Sequence, residues 1–91
     1  MALSQAEITT RLGSLPNWQI ESGALVRTFT FADFRAALAF VNRVGEPAEA
    51  AAHHPDIDIR YNRVRLSLVT HDAGGLTEKD FALAVQSEEA A

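Results

Sequence analysis

Two stretches of alternating apolar and polar residues restrict the fold of this chain more than any other feature of its sequence. Residues 18–21 and 25–31 alternate, and Ser22-Gly23 between them suits a tight turn because glycine tolerates a positive φ. Residues 57–61 and 64–70 alternate in the same way, and the pattern indicates a turn at Asn62-Arg63. The sequence therefore predicts two β-hairpins, with Tyr61 inside a strand.

Three segments have the signals of helices. Ser4 with Glu7, and Thr77 with Asp80, are spaced as capping boxes that begin the first and last helices, and Asp33 can cap the middle one. Apolar residues recur at helical spacing behind each cap. The predicted buried stripes are Ile8, Leu12 and Leu15; Phe34, Ala37, Leu38, Val41 and Val44; and Phe81, Ala84 and Val85.

Gly45 and Pro47 interrupt the middle helix in the sequence. Proline removes one helical hydrogen bond and collides with the preceding turn, at a cost of roughly 3 kcal/mol in a helix interior. We therefore expect a kink or a break at this point. In the second case Pro47 opens a further helical piece, which ends before Pro55.

The predicted order of elements is αββαββα, in which a long helix joins two hairpins. Such a chain is expected to form an α+β fold, with a four-stranded antiparallel sheet and three helices packed on one face. Its 91 residues suffice for a single domain that spans residues 1–91.

Charge and composition exclude several classes of function. The formal net charge is −4, so the group formed by Arg60, Arg63 and Arg65 is interpreted as a solvated strand edge and direct nucleic-acid binding is not expected. No apolar run is long enough to cross a bilayer, no secretory signal is visible, and there is no cysteine. These features favour a cytoplasmic protein without a membrane partner.

All three histidines fall between residues 53 and 71, as His53, His54 and His71. A chance cluster of surface or core residues is one interpretation. A metal site is another, but adjacent histidines diverge on any regular element, and carboxylates would have to be recruited. The candidates for recruitment are Glu49, Asp56 and Asp80. We predict no bound metal.

Acid–base chemistry is the third interpretation of the histidines. Imidazole both donates and accepts protons near neutral pH, so several histidines in one cleft can remove one proton and supply another. Glu49 and Asp80 could each fix a histidine tautomer by accepting an N–H. Alternatively, Glu49 is an exposed helix residue, and Asp80 serves only the first turn of the last helix.

The segments EAAAHHPDIDIRY and THDAGGLTEKD resemble the pterin-4a-carbinolamine dehydratase family, as do NWQI and FTFADFRAALAFVNRV. The residues that carry the resemblance are Glu49, His53, His54, Pro55, Tyr61, Thr70, His71 and Asp80. The resemblance implies an αββαββα fold and a homodimer or homotetramer. It also implies dehydration of 4a-hydroxytetrahydropterin to quinonoid dihydropterin and water, without metal or cofactor. This reaction recycles the pterin of aromatic amino acid hydroxylases.

The resemblance also implies a site. His53 and His71 would be general acids beside the leaving hydroxyl, His54 would orient the pterin and help to accept the proton, and Glu49 and Asp80 would support them. The implied pterin-binding residues are Ala52, His53, His54, Pro55, Val69, Thr70, His71 and Asp72. Ala52 stands where animal members carry aspartate. The alternative is a non-catalytic module that binds a protein partner, because some relatives act as dimerisation or assembly cofactors.

Overall fold

The first hairpin closes at Ser22-Gly23, and this prediction is confirmed. In the computed structural model, which describes all residues from 1 to 91, strand β1 (Gln19–Glu21) pairs antiparallel with β2 (Ala24–Thr30). Ser22 and Gly23 have φ values of 51° and 81°. Both values lie in the left-handed region that favoured two-residue hairpin turns use.

The second hairpin turns one residue earlier than predicted. Strands β3 (Asp56–Arg60) and β4 (Arg63–Leu68) leave Tyr61-Asn62 as the turn, so the predicted turn at Asn62-Arg63 is wrong. Asn62 exchanges two hydrogen bonds with Phe31: its side-chain amide donates to the Phe31 carbonyl, and its own carbonyl accepts from the Phe31 N–H, both at 2.8 Å. These bonds fix Asn62 at the end of β2, and the turn therefore includes Tyr61.

The four strands form one antiparallel sheet in the order β1-β2-β4-β3. Helices α1 (Gln5–Leu12), α2 (Phe34–Ala50) and α3 (Glu78–Ala90) complete the predicted αββαββα order. One core lies between the helices and one face of the sheet, with Phe40 of α2 4.6 Å from Phe29 of β2, centroid to centroid. The buried residues of this core are Leu15, Trp18, Leu25, Phe29, Ala37, Phe40, Val44, Ala48, Val64, Leu66, Leu68, Leu76, Phe81, Leu83 and Ala84.

Helix α2 runs without interruption through Gly45 and Pro47, so the predicted break is wrong. Pro47 stands in the last turn of the helix, where it deprives only the Arg43 carbonyl of its helical partner. Packing supplies the compensation, because Ala37, Phe40, Val44 and Ala48 bury one side of the helix. A kink at this point stays a prediction.

The buried sides of two helices differ from the predicted stripes. The buried line of α2 follows residues 37, 40, 44 and 48, so Phe34 and Leu38 fall on its flank and are 47% and 39% exposed. In α3, Leu83 is buried and Val85 is exposed. Glu88 ties the end of α3 to the sheet region, since it accepts from Trp18 Nε1 at 2.8 Å and forms an ion pair with Arg27. None of the three helices combines the length and apolar character needed to span a bilayer.

Candidate active site

The end of α2 positions His53 and His54. The helix stops in a Schellman motif: the N–H of Ala52 donates to the Glu49 carbonyl at 3.1 Å, and that of His53 to the Ala48 carbonyl at 3.0 Å. Ala52 has a φ of 51°, the left-handed conformation that this motif requires. The chain therefore reverses at Ala52, and the two histidines project from a fixed helix end.

The loop after β4 positions His71. Thr70 and Gly75 form an isolated antiparallel bridge, with backbone hydrogen bonds of 3.2 and 3.3 Å, so the loop between them is closed at its base. Inside the loop, His71–Ala73 form a short 3₁₀ turn that ends at Gly74, whose φ is 72°. His71 thus stands on a short and internally bonded loop.

The structure brings all three histidines to one cavity of about 190 Å³. Seven of the eight predicted pterin-binding residues line it; Pro55 does not. The lining residues are Ala52, His53, His54, Val69, Thr70, His71, Asp72 and Lys79. Thr70, Asp72 and Lys79 also line a second cavity of about 410 Å³.

Asp80 holds His53 from inside the protein. Nε2 of His53 lies 2.6 Å from Oδ1 of Asp80, and the two side chains are 11% and 0% exposed. The other oxygen, Oδ2, accepts from the Thr70 hydroxyl at 2.8 Å and from the Thr77 N–H at 2.9 Å. Since an ionised carboxylate can only accept, the proton of a neutral His53 is assigned to Nε2. Its Nδ1 is then left as the other proton-transfer atom.

Glu49 holds His54 at the surface. Nε2 of His54 lies 2.8 Å from Oε1 of Glu49, but the side chains are 64% and 81% exposed. An exposed pair of this kind contributes little to stability because water and salt screen it. Glu49 itself does not line the cavity. His53 is therefore held far more firmly than its neighbour.

His71 has no side-chain hydrogen bond or ion pair within the chain, and it is exposed. Both of its ring nitrogens are free for a ligand. The three histidines thus differ in restraint: one is buried and fixed, one is paired at the surface, and one is unpaired.

No group of three or more His, Asp or Glu side chains has the arrangement of a metal site. Nε2 of His53 contacts Asp80, whereas Nε2 of His54 contacts Glu49, so the two nitrogens do not share one partner. The expectation that the protein uses no metal stays a prediction.

Lys79, the one lysine or arginine that lines the cavity, was not predicted from the sequence. It lies in the first turn of α3, directly before Asp80. The one sequence feature that could have indicated Lys79 is its position next to Asp80, a predicted site residue at the start of a helix. Thr77, predicted only as a helix cap, also belongs to the site's support, because its N–H bonds Asp80 and its hydroxyl lies 2.8 Å from that of Thr70.

Comparisons with known proteins agree on one family. The model of the family described as Pterin 4 alpha carbinolamine dehydratase matches residues 1–90. A protein of Chloroflexus aurantiacus named "Putative pterin-4-alpha-carbinolamine dehydratase" is 64% identical over 87 residues, which are 96% of this chain and 94% of that protein. A protein of Acidobacterium capsulatum with the same name is 62% identical over 86 residues, which are 94% of each chain.

Solved structures show the same fold. The crystal structure of a transcriptional coactivator/pterin dehydratase from Brucella melitensis has a TM-score of 0.96 and 34% identity, and the match covers 100% of this chain and 99% of that one. A pterin dehydratase-like RuBisCO assembly factor of the alpha-carboxysome has a TM-score of 0.66 and 23% identity, over 81% and 86% of the chains. The second likeness concerns the fold alone.

Proposed function

The chain belongs to the pterin 4 alpha carbinolamine dehydratase family, and from this membership we propose that it converts 4a-hydroxytetrahydropterin to quinonoid dihydropterin and water. The observation that carries the proposal is the meeting of His53, His54 and His71 at one cavity, although they come from two separate parts of the chain. A reaction with one departing hydroxide and one departing proton needs an acid and a base in the same place.

The proposed mechanism assigns the two protons to different histidines. The C4a–O bond breaks as His53 or His71 donates a proton to the leaving hydroxyl, and water departs. The N5–H bond gives its electron pair to a new C4a=N5 bond, and His54 helps to accept the proton. Each such group typically accelerates a reaction by about 10²–10⁴-fold. Imidazoles can transfer both protons, so the proposal calls for no metal or cofactor.

Asp80 would assist His53 in its role as an acid. The carboxylate binds Nε2–H and lies opposite any positive charge that the ring gains. It therefore orients the ring and leaves Nδ1 as the atom that can exchange a proton with the substrate. Val69, Thr70 and Asp72 line the same cavity, where backbone groups could bind the amide edge of the pterin ring.

We further propose that the reaction recycles the pterin of an aromatic amino acid hydroxylase in the cytoplasm. The family membership supports this role, because the carbinolamine is the product left when such a hydroxylase spends its pterin. The prediction of this role is that loss of the protein slows pterin-dependent hydroxylation in the cell and raises the amount of unconverted carbinolamine.

We propose that residues 1–91 act as one domain and that copies associate into a dimer or tetramer. The single core supports the first statement. Phe34 and Leu38 support the association of copies. They are exposed, and because they are four residues apart on α2 they lie on the same side of the helix and form an apolar patch. Light scattering on the purified protein would give the assembly, and a Leu38→Glu variant should shift it toward the monomer if this patch is buried between copies.

The dehydratase proposal is tested with freshly generated 4a-hydroxytetrahydropterin. Formation of the quinonoid product is followed by absorbance with and without the protein at neutral pH. We expect a clear acceleration, lost in a His53→Ala, His71→Ala double variant and kept in Gln86→Ala, an exposed control on α3. A rate equal to that of buffer would refute the proposal.

A second candidate is a protein-interaction module. The Brucella protein favours it, because that protein is described both as a transcriptional coactivator and as a pterin dehydratase. A module that only binds proteins has no need of three histidines at one cavity. Pull-down of one stoichiometric partner, together with no turnover, would favour this second function over the first.

A further inference from the structure

The largest cavity of the molecule lies away from the histidines, at the β3–β4 turn, and measures about 660 Å³. Ile57 and Ile59 pair with buried Leu66 and Val64, so the intervening residues of β3 and β4 face the other side of the sheet. The cavity is therefore on the outer face, which carries no helix. Arg60, Arg63 and Arg65 line it together with Tyr61.

Positive charge is concentrated at this turn. Arg60 stands directly opposite Arg63 in the register, and like charges in that position repel. Arg60 is paired with Asp58 at 3.2 Å and Arg65 with Glu21 at 2.9 Å, but Arg63 has no ion pair. A chain whose net charge is −4 thus places an uncompensated guanidinium beside a second one.

The backbone of the same turn is strained. Tyr61 has a φ of 53° and is 66% exposed. A bulky aromatic residue is unusual in the left-handed region, where glycine and asparagine are favoured. The bonds between Asn62 and Phe31 explain why the turn lies here, but they explain neither the tyrosine nor the facing arginines. Unfavourable choices that gather at one place are a mark of function.

We propose that this cavity binds the phosphate group of a small phosphate ester whose aromatic ring lies on Tyr61, such as a mononucleotide. Paired guanidinium groups match the geometry of phosphate oxygens and form charge-assisted hydrogen bonds with them. A bound phosphate would sit between Arg60 and Arg63 and remove their repulsion. The exposed tyrosine ring offers a surface on which a base can stack.

The size and charge of the cavity select a small ligand over a polynucleotide. A volume of about 660 Å³ is within the usual range for small-molecule sites. Asp58 and Glu21 pair with Arg60 and Arg65. In a polynucleotide, these carboxylates would repel the phosphates that neighbour the bound one. The acidic chain as a whole disfavours a long polyanion.

The proposed phosphate site and the histidines occupy opposite ends of one hairpin. The strand between them, β3, has five residues, which span about 16 Å at the usual rise of a strand. The inference therefore does not rest on the dehydratase proposal, and the two can fail separately.

The test is an NMR titration of the ¹⁵N-labelled full chain at low salt with AMP, inorganic phosphate and adenosine. We expect saturable shifts for AMP at Thr28, Arg63 and Arg65, weaker binding of phosphate, and no saturation with adenosine. Arg63→Gln should weaken AMP binding by about tenfold or more. Arg35→Gln, which removes the same charge from the exposed start of α2, should leave it unchanged.

Thermal unfolding gives a second readout. Without ligand, Arg63→Gln should be at least as stable as the parent, because the facing charges are gone. AMP should raise the melting temperature of the parent and of Arg35→Gln but not that of Arg63→Gln, while the dehydration rate stays the same in all three. No saturable shift with AMP, or equal weakening by both variants, would overturn the site. Phosphate binding as tight as that of AMP would overturn the contact with Tyr61.

Discussion

His53 and Asp80 lie 27 residues apart in sequence, yet their side chains meet at 2.6 Å in the interior of the protein. This bond joins the segment after α2 to the first turn of α3. It holds one histidine of the candidate site in position from the protein interior, and neither of the other two histidines has a buried partner. Substitutions around the three histidines should therefore differ in their effects on catalysis and on stability.

Asp80→Asn should lower both activity and stability. An amide cannot accept from all three donors that the carboxylate accepts from, so either a bond to Thr70 or Thr77 is lost or the amide NH2 donates to Nε2 of His53 and moves the ring proton to Nδ1. We expect kcat/KM for dehydration to fall on the order of 10²-fold. The free energy of unfolding should fall by about 1–3 kcal/mol, because hydrogen bonds to a buried charged carboxylate are replaced by weaker neutral ones or lost. Urea unfolding and the pterin assay measure the two effects, and full activity in a folded variant would contradict the role of Asp80.

Glu49→Gln should have much smaller effects than Asp80→Asn. The pair formed by Glu49 and His54 is exposed to water, and such pairs contribute about 0–1 kcal/mol. We expect the free energy of unfolding to stay within about 0.5 kcal/mol of the parent. The same two measurements apply, and a stability loss as large as that of Asp80→Asn would show that Glu49 is more constrained than its exposure indicates.

His71→Ala should separate catalysis from folding. The side chain is exposed and makes no hydrogen bond within the chain, so its removal should leave the melting temperature nearly unchanged. If His71 acts as a general acid, the dehydration rate should fall by about 10²-fold or more. An unaltered rate would remove His71 from the mechanism.

Ala52→Gly should stabilise the protein. Ala52 occupies the left-handed position of the Schellman motif, and glycine adopts that conformation without the steric cost of a Cβ. The expected gain in the free energy of unfolding is about 0.5–1 kcal/mol after the larger unfolded-state entropy of glycine is allowed for. Ala51→Gly is the matched control, because Ala51 has a φ of −86° and should lose stability instead. Equal losses in the two variants would contradict the motif.

Glu7 should give the chain a pH-dependent contribution in the acid range. Its carboxylate accepts the Ser4 N–H at 2.8 Å, and this bond is the main reason why the pKa of Glu7 lies below the ordinary value of 4.5. A lowered folded-state pKa means that the contribution is complete above 4.5 and disappears as pH falls through the lower value. The stability difference between the parent and Glu7→Gln should therefore shrink on acidification. A difference that does not change with pH would contradict this linkage.

Local patterns sufficed to predict the element order. Alternation indicates strands, and the boxes at Ser4 and Thr77 place helix starts, because both signals lie within a few residues of sequence. The β3–β4 turn could not be placed in this way. Its position depends on a contact between Asn62 and Phe31, which are 31 residues apart. The uninterrupted course of α2 through Pro47 likewise depends on burial of Ala48 and Val44 against the rest of the fold.

The sequence draws attention to His53, His54 and His71 because the chain has no other histidines, whereas the set of pterin-binding residues comes from the resemblance to the family. The resemblance implies Pro55 as a pterin-binding residue, but Pro55 stands directly before β3 and does not line the cavity. Apart from the place of Lys79 beside a predicted site residue, the sequence gives no indication that it belongs to the cavity. Lys79 lines the cavity because α3 packs against α2, and this packing brings the start of α3 close to the end of α2.

Asp80 performs two tasks with one side chain, since it completes the capping box of α3 and also anchors His53. A relative without the chemistry could keep this aspartate for the capping box alone. Retention of this aspartate is therefore a poor guide to whether a distant homologue is an enzyme. His53 does not cap a helix, so its loss in a homologue indicates a pseudoenzyme more clearly than loss of the aspartate does.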